Sequence, residues 1–476
     1  MKNLYLSTQI KAIDKLAADY LNISSYELMQ LASQSIYDYV QQYNNILVVT
    51  GAGNNAGDGF VIANMARKHR KTVSVWSLVD GEKLPDDAKK AAKAYVQQGG
   101  RIVEHVEESD YDCIVDAVFG TGLSRDVEGH FAKAIKWINN QDTTVVAVDI
   151  PSGLDADTGT IKGCAINATM TVTVICYKPG LVTYNGKDLC GTLFCEELNI
   201  PHETYEKVKS QLFLLDHQVL NNVKFNHSHS SHKGSFGSAV IAGGHDGMLG
   251  ALILSGRAAI RSGCGLVEAV SNNEQAVMIS IQCPELMTAN SIEASRLIAK
   301  TDVIAVGPGL GLNSQSKSVL NKCIEQSKPL VIDADGLSLL DKNKPFQHIV
   351  ILTPHPKEAA SLLNCSVNSI QNNRIKSAQR ISRQYNTITI LKGSGTVISD
   401  TNGDVYICPY GYAGMATAGM GDVLTGIVVS LLAQGFSAVE AAFTAVVWHA
   451  ISAENCNKGI GLIASDVIHR LPEELI

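Results

Sequence analysis

The sequence predicts an α/β protein of two domains, each with a mainly parallel sheet covered by helices. The chain has 476 residues, which is too long for one ordinary hydrophobic core. Short apolar runs of strand length alternate with helical stretches along most of it, as in α/β folds. Most of these runs end in loops of glycine and polar residues, and such loops bind ligands at the carboxyl edge of a parallel sheet.

Composition limits the functional classes. The hydrophobic content of 45% with 18% charged residues is typical of a soluble globular protein. A net charge of −7 without a basic block argues against a nucleic-acid surface. The most apolar region, 423–451, is interrupted by polar residues and predicts two buried helices instead of a membrane span. Eleven cysteines without a CxxC pair indicate reduced thiols, so we expect a cytoplasmic protein with no membrane or nucleic-acid partner.

The first elements form a βαβ unit. Helical spacing over 8–40 predicts two helices, and a strand at 46–50 is followed by the glycine loop Gly51–Gly59, a helix and a strand at 72–78. The loop lacks the spacing of a dinucleotide fingerprint. Its polar side chains are Asn54, Asn55 and Asp58. They could coordinate a cation or bind a ribose or phosphate edge, or they could stabilise the turn; both interpretations stay open here.

Two further strands end in an acid. The run 111–116 ends at Asp116 and the run 144–149 ends at Asp149, each before a loop of small residues. Such positions place both carboxylates on the same rim as the asparagine-rich loop. A single acid there is often a helix cap, but two beside this loop favour a polar site. Strands near 170–176 and 191–195 are expected to complete the sheet.

The motifs GAGNNAGDGFVIA, DAVFGTGLSRDVEG and VAVDIPSGLDADTG resemble the N-terminal epimerase domain of the bifunctional NAD(P)H-hydrate repair enzymes. The resemblance implies a Rossmann-like domain that interconverts the R and S epimers of hydrated NADH and NADPH and binds potassium. It implies that Asn55, Asp116 and Ser152 hold the potassium. The implied hydrate contacts are Asn54, Asn55, Ala56, Gly57, Asp58, Gly120, Thr121, Gly122, Leu123, Ser124, Arg125, Asp126 and Asp149. Ala56 replaces the family's usual glycine, a small change that we expect to be tolerated, and Asp149 is our candidate base.

The junction between the halves loses periodicity over 203–232 and ends in Asn-His-Ser-His-Ser-Ser-His. Three closely spaced histidines suggest a metal site, but no cysteine or acid pair completes a shell. We therefore interpret this stretch as a polar linker. The predicted domains are 1–211 and 222–476.

The stretch Ala413–Gly426 carries the chemistry of the second half. Small residues lead to Asp422, and an apolar helical pattern begins at Val423. Glycines at 419 and 421 would let backbone N–H groups and the helix N-terminus bind a phosphoryl group or an oxyanion. A carboxylate at the lip of such a site suits a base acting on a hydroxyl, although an ordinary Asp N-cap is the alternative.

The ordered motifs GPGLG, VIDADGL, TPHPKE, LKGSGT and AGMGDVLTG resemble the ribokinase-like fold, and more narrowly the ADP- or ATP-dependent NAD(P)H-hydrate dehydratase domain. The resemblance implies that the hydrate hydroxyl is phosphorylated and leaves as phosphate, with magnesium bridging phosphate oxygens. It implies Asp422 as base and Gly419–Gly421 as anion hole. The implied nucleotide contacts are Lys392, Gly393, Ser394, Gly395, Thr396 and Gly421, and the implied hydrate contacts are Ala251, Gly309, His355 and Asp422. By residue type alone, His355 could be a structural loop histidine and Lys392 an ordinary charge at a strand end.

Together these resemblances predict a bifunctional repair enzyme for NADHX and NADPHX. The expected co-substrate is ADP, as in the bacterial arrangement, with ATP as the other candidate, and a homo-oligomer is expected. One alternative is a small-molecule kinase with an accessory Rossmann domain, whose product would keep the phosphate. A second makes the N-terminal domain a binding scaffold, as in related messenger-RNA decapping factors. The complete potassium set and the retained Asp149 argue against both.

Overall fold

The structure, a computed structural model, describes residues 1–106, 110–223, 229–271, 273–289, 291–342 and 344–475. The chain divides into two compact units, residues 3–212 and residues 213–476 together with 1–2. None of the helices in the described ranges is both long and apolar enough to cross a bilayer.

The first part of the chain contains nine strands and seven α-helices among its described residues. The strands are β1 (Lys2–Leu4), β2 (Asn45–Thr50), β3 (Thr72–Ser77), β4 (Ile102–Val103), β5 (Cys113–Ala117), β6 (Thr144–Val148), β7 (Met170–Val174), β8 (Thr192–Glu196) and β9 (Leu212–Leu214). The helices are α1 (Ser7–Leu21), α2 (Ser25–Val40), α3 (Asn54–Lys68), α4 (Asp86–Gln97), α5 (Gly129–Asn139), α6 (Gly186–Leu189) and α7 (His202–Lys207).

The second part adds further strands and helices. The strands are β10 (Ser238–Ala242), β11 (Leu266–Val270), β12 (Met287–Ala289), β13 (Val303–Val306), β14 (Leu330–Ile332), β15 (Val350–Leu352), β16 (Ile388–Leu391), β17 (Thr396–Ser399) and β18 (Val405–Cys408). The helices are α8 (Leu249–Arg261), α9 (Asn273–Gln282), α10 (Ser291–Lys300), α11 (Ser314–Glu325), α12 (Ala334–Ser338), α13 (Pro356–Leu363), α14 (Val367–Gln371), α15 (Arg374–Tyr385), α16 (Met420–Ala433), α17 (Ala438–Asn455) and α18 (Ala464–Arg470). Short 3-10 turns lie at Gly81–Lys83, Pro179–Leu181, His217–Val223, Lys233–Phe236, Ala413–Met415, Gly459–Gly461 and Leu471–Leu475.

The sheet of the first unit is parallel and doubly wound. Its order is β4-β3-β2-β5-β6-β7-β8. Alternate residues pack on opposite faces: Val48 and Val115 join one core, and Leu47 and Ile114 join the other. The chain leaves β2 toward β3 and returns to β5 on its other side, so the loops after β2 and β5 diverge at a topological switch point, where α/β sheets bind ligands.

Helix α3 begins earlier than the sequence predicted. The expected loop Gly51–Gly59 ends at residue 53, and Asn54 already starts the helix. A Cβ at Gly57 or Gly59 would lie 2.6 or 2.7 Å from a neighbouring side chain, so glycine lets these first turns pack closely. The asparagines are therefore presented by a helix N-terminus and not by a loop.

The sheet of the second unit includes the strand order β9-β18-β17-β16-β15-β14-β13-β10-β11-β12. Strands β10 to β16 are parallel, whereas β17 and β18 are antiparallel. The chain moves from β10 to β11 and later returns to β13 on the other side, so a second switch point lies between β10 and β13. The α/β class predicted for both halves is confirmed.

Helix α16 lies in the core of this unit, and eleven of its fourteen residues are buried. The predicted start at Val423 is wrong by one turn, because Gly419 adopts φ +90° as the N-cap residue and the helix begins at Met420. A Cβ at Gly426 would lie 2.2 Å from the Ser255 carbonyl oxygen, which shows how closely α8 approaches. Asp422 consequently lies within the first turn, so the N-cap alternative is wrong.

Two candidate active sites

The first site contains a buried polar chamber at the switch point between β2 and β5. Ser152 Oγ donates to Asp116 Oδ1 over 2.6 Å, and the Ser152 backbone N–H donates to Oδ2 over 2.8 Å. Asn55 Nδ2 donates to the carbonyl oxygens of Phe119 (3.1 Å) and Val148 (3.2 Å). Phe119 N–H donates to Ser152 Oγ over 2.8 Å. The three side chains that the potassium prediction named are thus buried side by side.

The chamber fits a hard cation. Asp116 is fully buried, and burial raises the pKa of its carboxyl to about 6. No cationic side chain in the described ranges pairs with it, and a buried carboxylate needs a compensating charge. The nitrogen of Asn55 faces carbonyls, so its oxygen is left for a ligand. No group of three His, Cys, Asp or Glu side chains suited to a metal occurs among the described residues. The ligands available here are therefore of mixed type: the Asn55 amide oxygen, the Asp116 carboxylate and the Ser152 hydroxyl.

Asp149 lies beside the chamber and is held by a lysine that the sequence analysis missed. Lys178 is fully buried, and its Nζ donates to Asp149 Oδ1 (2.5 Å), Thr173 Oγ1 (2.7 Å) and the Val174 carbonyl (2.9 Å). Thr173 Oγ1 and Val174 N–H also donate to Asp149 Oδ1. Within the described chain Oδ2 accepts no hydrogen bond, so it can receive a substrate proton. The only sequence signal for Lys178 was a lone cation between apolar runs.

Two acids with raised pKa values accompany this ion pair. Burial, with a further contribution from the Asp149 charge, raises the pKa of Asp58 to about 8 although Ser33 Oγ donates to it over 2.9 Å. Burial also raises the pKa of Asp14 on α1 to about 6, with opposing effects from Lys178 and Asp149. Asp58 was a predicted hydrate contact, whereas Asp14 was missed. Neighbouring carboxyls with separated pKa values can divide the roles of acid and base.

The remaining predicted hydrate contacts divide into three groups. Gly120 adjoins Asn55, because a Cβ there would lie 3.5 Å from the Asn55 Cβ. In contrast, Ala56 and Gly57 are buried within α3. Farther along the chain, none of the hydrogen bonds in the described ranges joins the predicted loop residues to the chamber. These residues are Thr121, Gly122, Leu123, Ser124, Arg125 and Asp126.

The second site is formed where the carboxyl ends of β14 and β16 meet the N-terminus of α16. Lys392 Nζ donates to Asp333 Oδ1 over 2.7 Å, and Thr425 Oγ1 donates to Asp333 Oδ2 over 2.8 Å. Glu358 Oε2 lies 4.0 Å from the same Nζ. A Cβ at Gly421 would lie 3.3 Å from Lys392 Nζ. Lys392 is therefore more than an ordinary strand-end charge, because its partly buried ammonium is paired with the buried Asp333 carboxylate.

Asp422 has the electrostatics of a base that works near neutral pH. Burial, and next the negative charge of Asp333, raises the pKa of Asp422 to about 7. Burial would also raise the pKa of Asp333, but the Lys392 ammonium and hydrogen bonds hold it below its usual value. Ser255 Oγ donates to the Asp422 carbonyl over 2.9 Å and fixes the first turn of α16. The site thus combines one permanent carboxylate with one that can exchange a proton.

The predicted hydrate contacts Ala251 and Gly309 both lie at the second switch point. Backbone bonds join the loops after β10 and β13, from Gly244 N–H to the Pro308 carbonyl (3.0 Å) and from His245 N–H to the Gly309 carbonyl (2.5 Å). Gly309 has φ +58°, and a Cβ there would lie 2.5 Å from the Met248 carbonyl oxygen. Only glycine fits this loop, which leaves a smooth backbone surface beside the start of α8.

His355 has a structural role at one ring nitrogen. It is the N-cap residue of α13, where Nδ1 accepts from the N–H groups of Lys357 (3.1 Å) and Glu358 (3.2 Å). Burial, and next the Lys392 charge, lowers the pKa of His355, so the ring is neutral at pH 7. The alternative of a structural histidine is correct for Nδ1, although the partners are N–H groups and not a carbonyl as expected. Nε2 lies 3.3 Å from Glu358 Oε1.

The predicted nucleotide loop, 392–396, is held from below by Arg374, which the sequence analysis did not identify. Three acids of the site were also missed. Asp333 directly follows β14 and Asp335 stands two residues later, while Glu358 lies in the first turn of α13, the helix after β15. That position was the signal that could have found them.

The histidine-rich junction gives no metal site in its described part. His227 belongs to 224–228, outside the described residues. His232 Nδ1 accepts from Gly234 N–H over 3.1 Å and caps the turn Lys233–Phe236. This histidine therefore stabilises backbone, in agreement with a polar linker.

Comparisons with known proteins cover both halves. Residues 25–180 match the family described as YjeF-related protein N-terminus, and residues 239–473 match the family described as NAD(P)H-hydrate dehydratase. The bifunctional NAD(P)H-hydrate repair enzyme Nnr of Coxiella burnetii is 35% identical over 483 residues, covering 99% of each chain. The protein of the same name from Escherichia coli is 36% identical over 482 residues, covering 98% of this chain and 93% of its own.

Solved structures resemble the second half. A ribokinase-like superfamily protein from Enterococcus faecalis is 27% identical with a TM-score of 0.53, covering 56% of this chain and 96% of its own. The ADP/ATP-dependent NAD(P)H-hydrate dehydratase from Bacillus subtilis, co-crystallised with ATP and Mg²⁺, is 28% identical with a TM-score of 0.51. It covers 55% of this chain and 97% of its own. The ribokinase-like fold predicted for the second half is confirmed.

Proposed function

Because the chain belongs to the family of bifunctional NAD(P)H-hydrate repair enzymes, we propose that it restores NADH and NADPH from their hydrates. Residues 1–211 interconvert the R and S epimers, and residues 222–476 dehydrate the S form with ADP, giving AMP and phosphate. The observation that carries this proposal is the Asp422 carboxyl, whose pKa is raised to about 7 at the N-terminus of α16.

The dehydration follows from that geometry. Asp422 takes the proton of the hydrate hydroxyl, and the oxygen attacks the terminal phosphorus of ADP, so AMP leaves. The C–O bond then breaks with its electron pair on phosphate, while the ring nitrogen supplies electrons and the adjacent carbon loses a proton. The N-terminus of α16 and the buried Lys392 stabilise the negative charge of the transferred group.

Magnesium fits the second site on charge grounds. The carboxyls of Asp333, Asp335 and Glu358 accompany Asp422 there: burial raises the pKa values of Glu358 and Asp422, and the charges of Asp333 and Asp335 raise both further. Lys392 is the cation paired with Asp333, and a nucleoside diphosphate adds further negative charge. A bound divalent cation would offset this excess of negative charge.

The epimerisation is assigned to the first site. The protonated Asp58, whose raised pKa keeps it neutral at pH 7, gives a proton to the hydrate hydroxyl, which leaves as water while the ring nitrogen supplies the electron pair. Water then adds to the same carbon from the opposite face, and Asp149 Oδ2 takes the proton that it releases. Proton exchange with solvent returns both carboxyls to their starting states, so the other epimer forms with no net loss of water. Asn55, Asp116 and Ser152 would hold potassium, which would supply fixed positive charge at the chamber. Replacing potassium with tetramethylammonium should slow epimerisation and leave dehydration of the S form unchanged, since the potassium ligands belong to the first unit.

The test uses the purified protein with a mixture of R and S hydrated NADH and follows the return of reduced-nicotinamide absorbance. We expect full recovery of both epimers with ADP, and a parallel assay with ATP identifies the preferred donor. Recovery that stops at the S fraction would remove the epimerase and leave a binding scaffold. A phosphorylated product that keeps its phosphate would instead support the small-molecule kinase.

Two further parts of the proposal concern the setting of the enzyme. A reducing, cytoplasmic location is proposed from the eleven cysteines. A homo-oligomer is also proposed, and sedimentation of the full chain tests it directly.

A further inference from the structure

Arg374, the first residue of α15, is buried beneath the loop after β16. Its side chain is only 1% exposed. Nη2 donates to the carbonyl oxygens of Leu391 (3.1 Å) and Lys392 (3.2 Å), with that of Gly395 at 3.5 Å. Nη1 donates to Gln371 Oε1 over 2.7 Å. One planar guanidinium therefore fixes both ends of the turn by drawing its carbonyls inward.

Inward carbonyls force an amide outward. In a trans peptide the C=O and the following N–H point in opposite directions, so the Gly393 N–H points away from Arg374. It makes no hydrogen bond within the described residues. Gly393 has φ +134°, and a Cβ there would lie 3.0 Å from Arg374 Nη1. The turn can therefore approach the guanidinium this closely only because residue 393 is a glycine.

The turn that carries this amide lies next to the N-terminus of α16. Lys392 joins the two elements, because its Nζ lies 3.3 Å from a Cβ built at Gly421. At this turn, three groups supply positive potential on the side of the site away from its carboxylates: the backbone amide, the N-terminus of α16 and the buried guanidinium behind the turn. A phosphate group is the ligand class that such an arrangement attracts.

We propose that Arg374 is a positioning residue for the nucleotide. It sets the turn so that the Gly393 N–H meets a phosphate oxygen of ADP, and its charge adds to the attraction from behind the turn. This role rests on the proposed dehydratase activity of the same site. Arg374 does not touch the hydrate or the transferred phosphorus.

Gln371→Glu separates this role from simple structural support. Glutamate keeps an oxygen for Nη1 but pairs with the guanidinium and cancels its charge. We expect the KM for ADP to rise about tenfold, with kcat at saturating ADP, the KM for the hydrate and the melting temperature of this unit not reduced. A merely structural arginine would leave the KM for ADP at its wild-type value.

Substitution of Arg374 itself completes the test. Arg374→Met should raise the KM for ADP more than tenfold, roughly 100-fold at most, because both the fork and the charge are lost. Arg374→Lys should recover only part of the affinity. Arg380→Met, an exposed arginine on the same helix, is the matched control and should behave as wild type. If Arg374→Met does not fold, Gln371→Glu alone decides.

The proposal is overturned if folded Arg374→Met and Gln371→Glu both bind ADP with wild-type affinity in calorimetry and turnover. Failure of the proposed function has a different signature. In that case the wild-type chain itself shows no ADP-dependent return of absorbance, whereas calorimetry still compares the ADP affinity of the wild type with that of each variant.

Discussion

At the scale of single residues, the second site depends on a contrast between Asp333 and Asp422. Asp333 is paired with Lys392 over 2.7 Å, which holds its pKa below the usual value. Asp422 lacks such close pairing in the described residues, and its pKa is raised to about 7 by burial and by the Asp333 charge. One carboxylate therefore remains a fixed anion while the other exchanges a proton, which separates their chemical roles.

Asp422→Asn removes the proposed base without changing the size of the side chain. We expect dehydration to fall by about 10²- to 10⁴-fold, while epimerisation by the other unit is unchanged. Absorbance recovery with ADP measures the first activity, and chromatographic separation of the epimers measures the second. Asp341→Asn, at an exposed acid of the same unit, is the control. A variant that lost both activities would contradict separate sites.

The raised pKa of Asp422 also predicts a pH profile. The base acts when deprotonated, so kcat at saturating ADP and hydrate should rise from pH 6 to a plateau near 8, with its midpoint at about 7. The folded pKa exceeds that of an unfolded carboxyl, so this group stabilises the fold most at low pH and loses that contribution as pH rises through about 7. A low rate in acid is therefore not caused by unfolding that this group brings about, because its contribution to the stability of the fold is greatest at low pH. A flat kcat between pH 5.5 and 8, with protein still folded, would refute the assignment.

At the scale of elements, the N-terminus of α16 shows what sequence patterns can and cannot locate. Apolar periodicity identified the helix but placed its start at Val423, because the first turn consists of Met420, Gly421 and Asp422 and carries no apolar stripe. The same limit applied to α3, where small and polar residues were interpreted as a loop. Periodicity detects the buried face of a helix, whereas the start depends on one residue, here Gly419 at φ +90°.

Two alanine substitutions in this turn should separate binding from folding. Gly421→Ala places a methyl 3.3 Å from Lys392 Nζ, so it should raise the KM for ADP with little loss of stability. Gly419→Ala demands a strained φ of +90° and meets Leu254 at 2.6 Å, so it should cost about 1 to 3 kcal/mol of unfolding free energy. Thermal unfolding and ADP titration distinguish them. Equal effects of both variants on both measurements would show that the turn is only structural.

Two buried cations, Lys178 and Arg374, could not be predicted from sequence patterns for a different reason. Asp149 and Asp116 were found because each ends a strand before a loop of small residues, and Asp422 because it follows glycines at the start of a helix. Lys178 and Arg374 were missed because their partners are defined only after the sheets form: Lys178 reaches back 29 residues to Asp149, and Arg374 reaches 17 residues forward to the Leu391 carbonyl. A buried cation has no local signature, since its burial depends on a distant acceptor.

At the scale of the whole molecule, one chain carries two units, and each unit has its own candidate base and its own aspartate–lysine ion pair. The first unit contains the Asp149–Lys178 pair, and the second contains the Asp333–Lys392 pair. Each site is built from residues of its own unit. The two reactions are therefore expected to need no shared side chain, and fusion in one chain ensures equal amounts of both activities.

Mixing two inactivated variants tests that independence. Asp422→Asn should epimerise without dehydrating, and Asp149→Asn should dehydrate only the S fraction, since each lacks one proposed base. With R and S hydrate and ADP, an equal mixture should recover both epimers completely, because hydrate released by one chain can reach the other through solution. Each variant alone is the control, and epimerisation by Asp149→Asn would show that its base lies elsewhere. If the mixture stopped at the S fraction while both single activities were intact, the hydrate would have to pass between sites of the same chain, and fusion would be required for the reaction sequence itself.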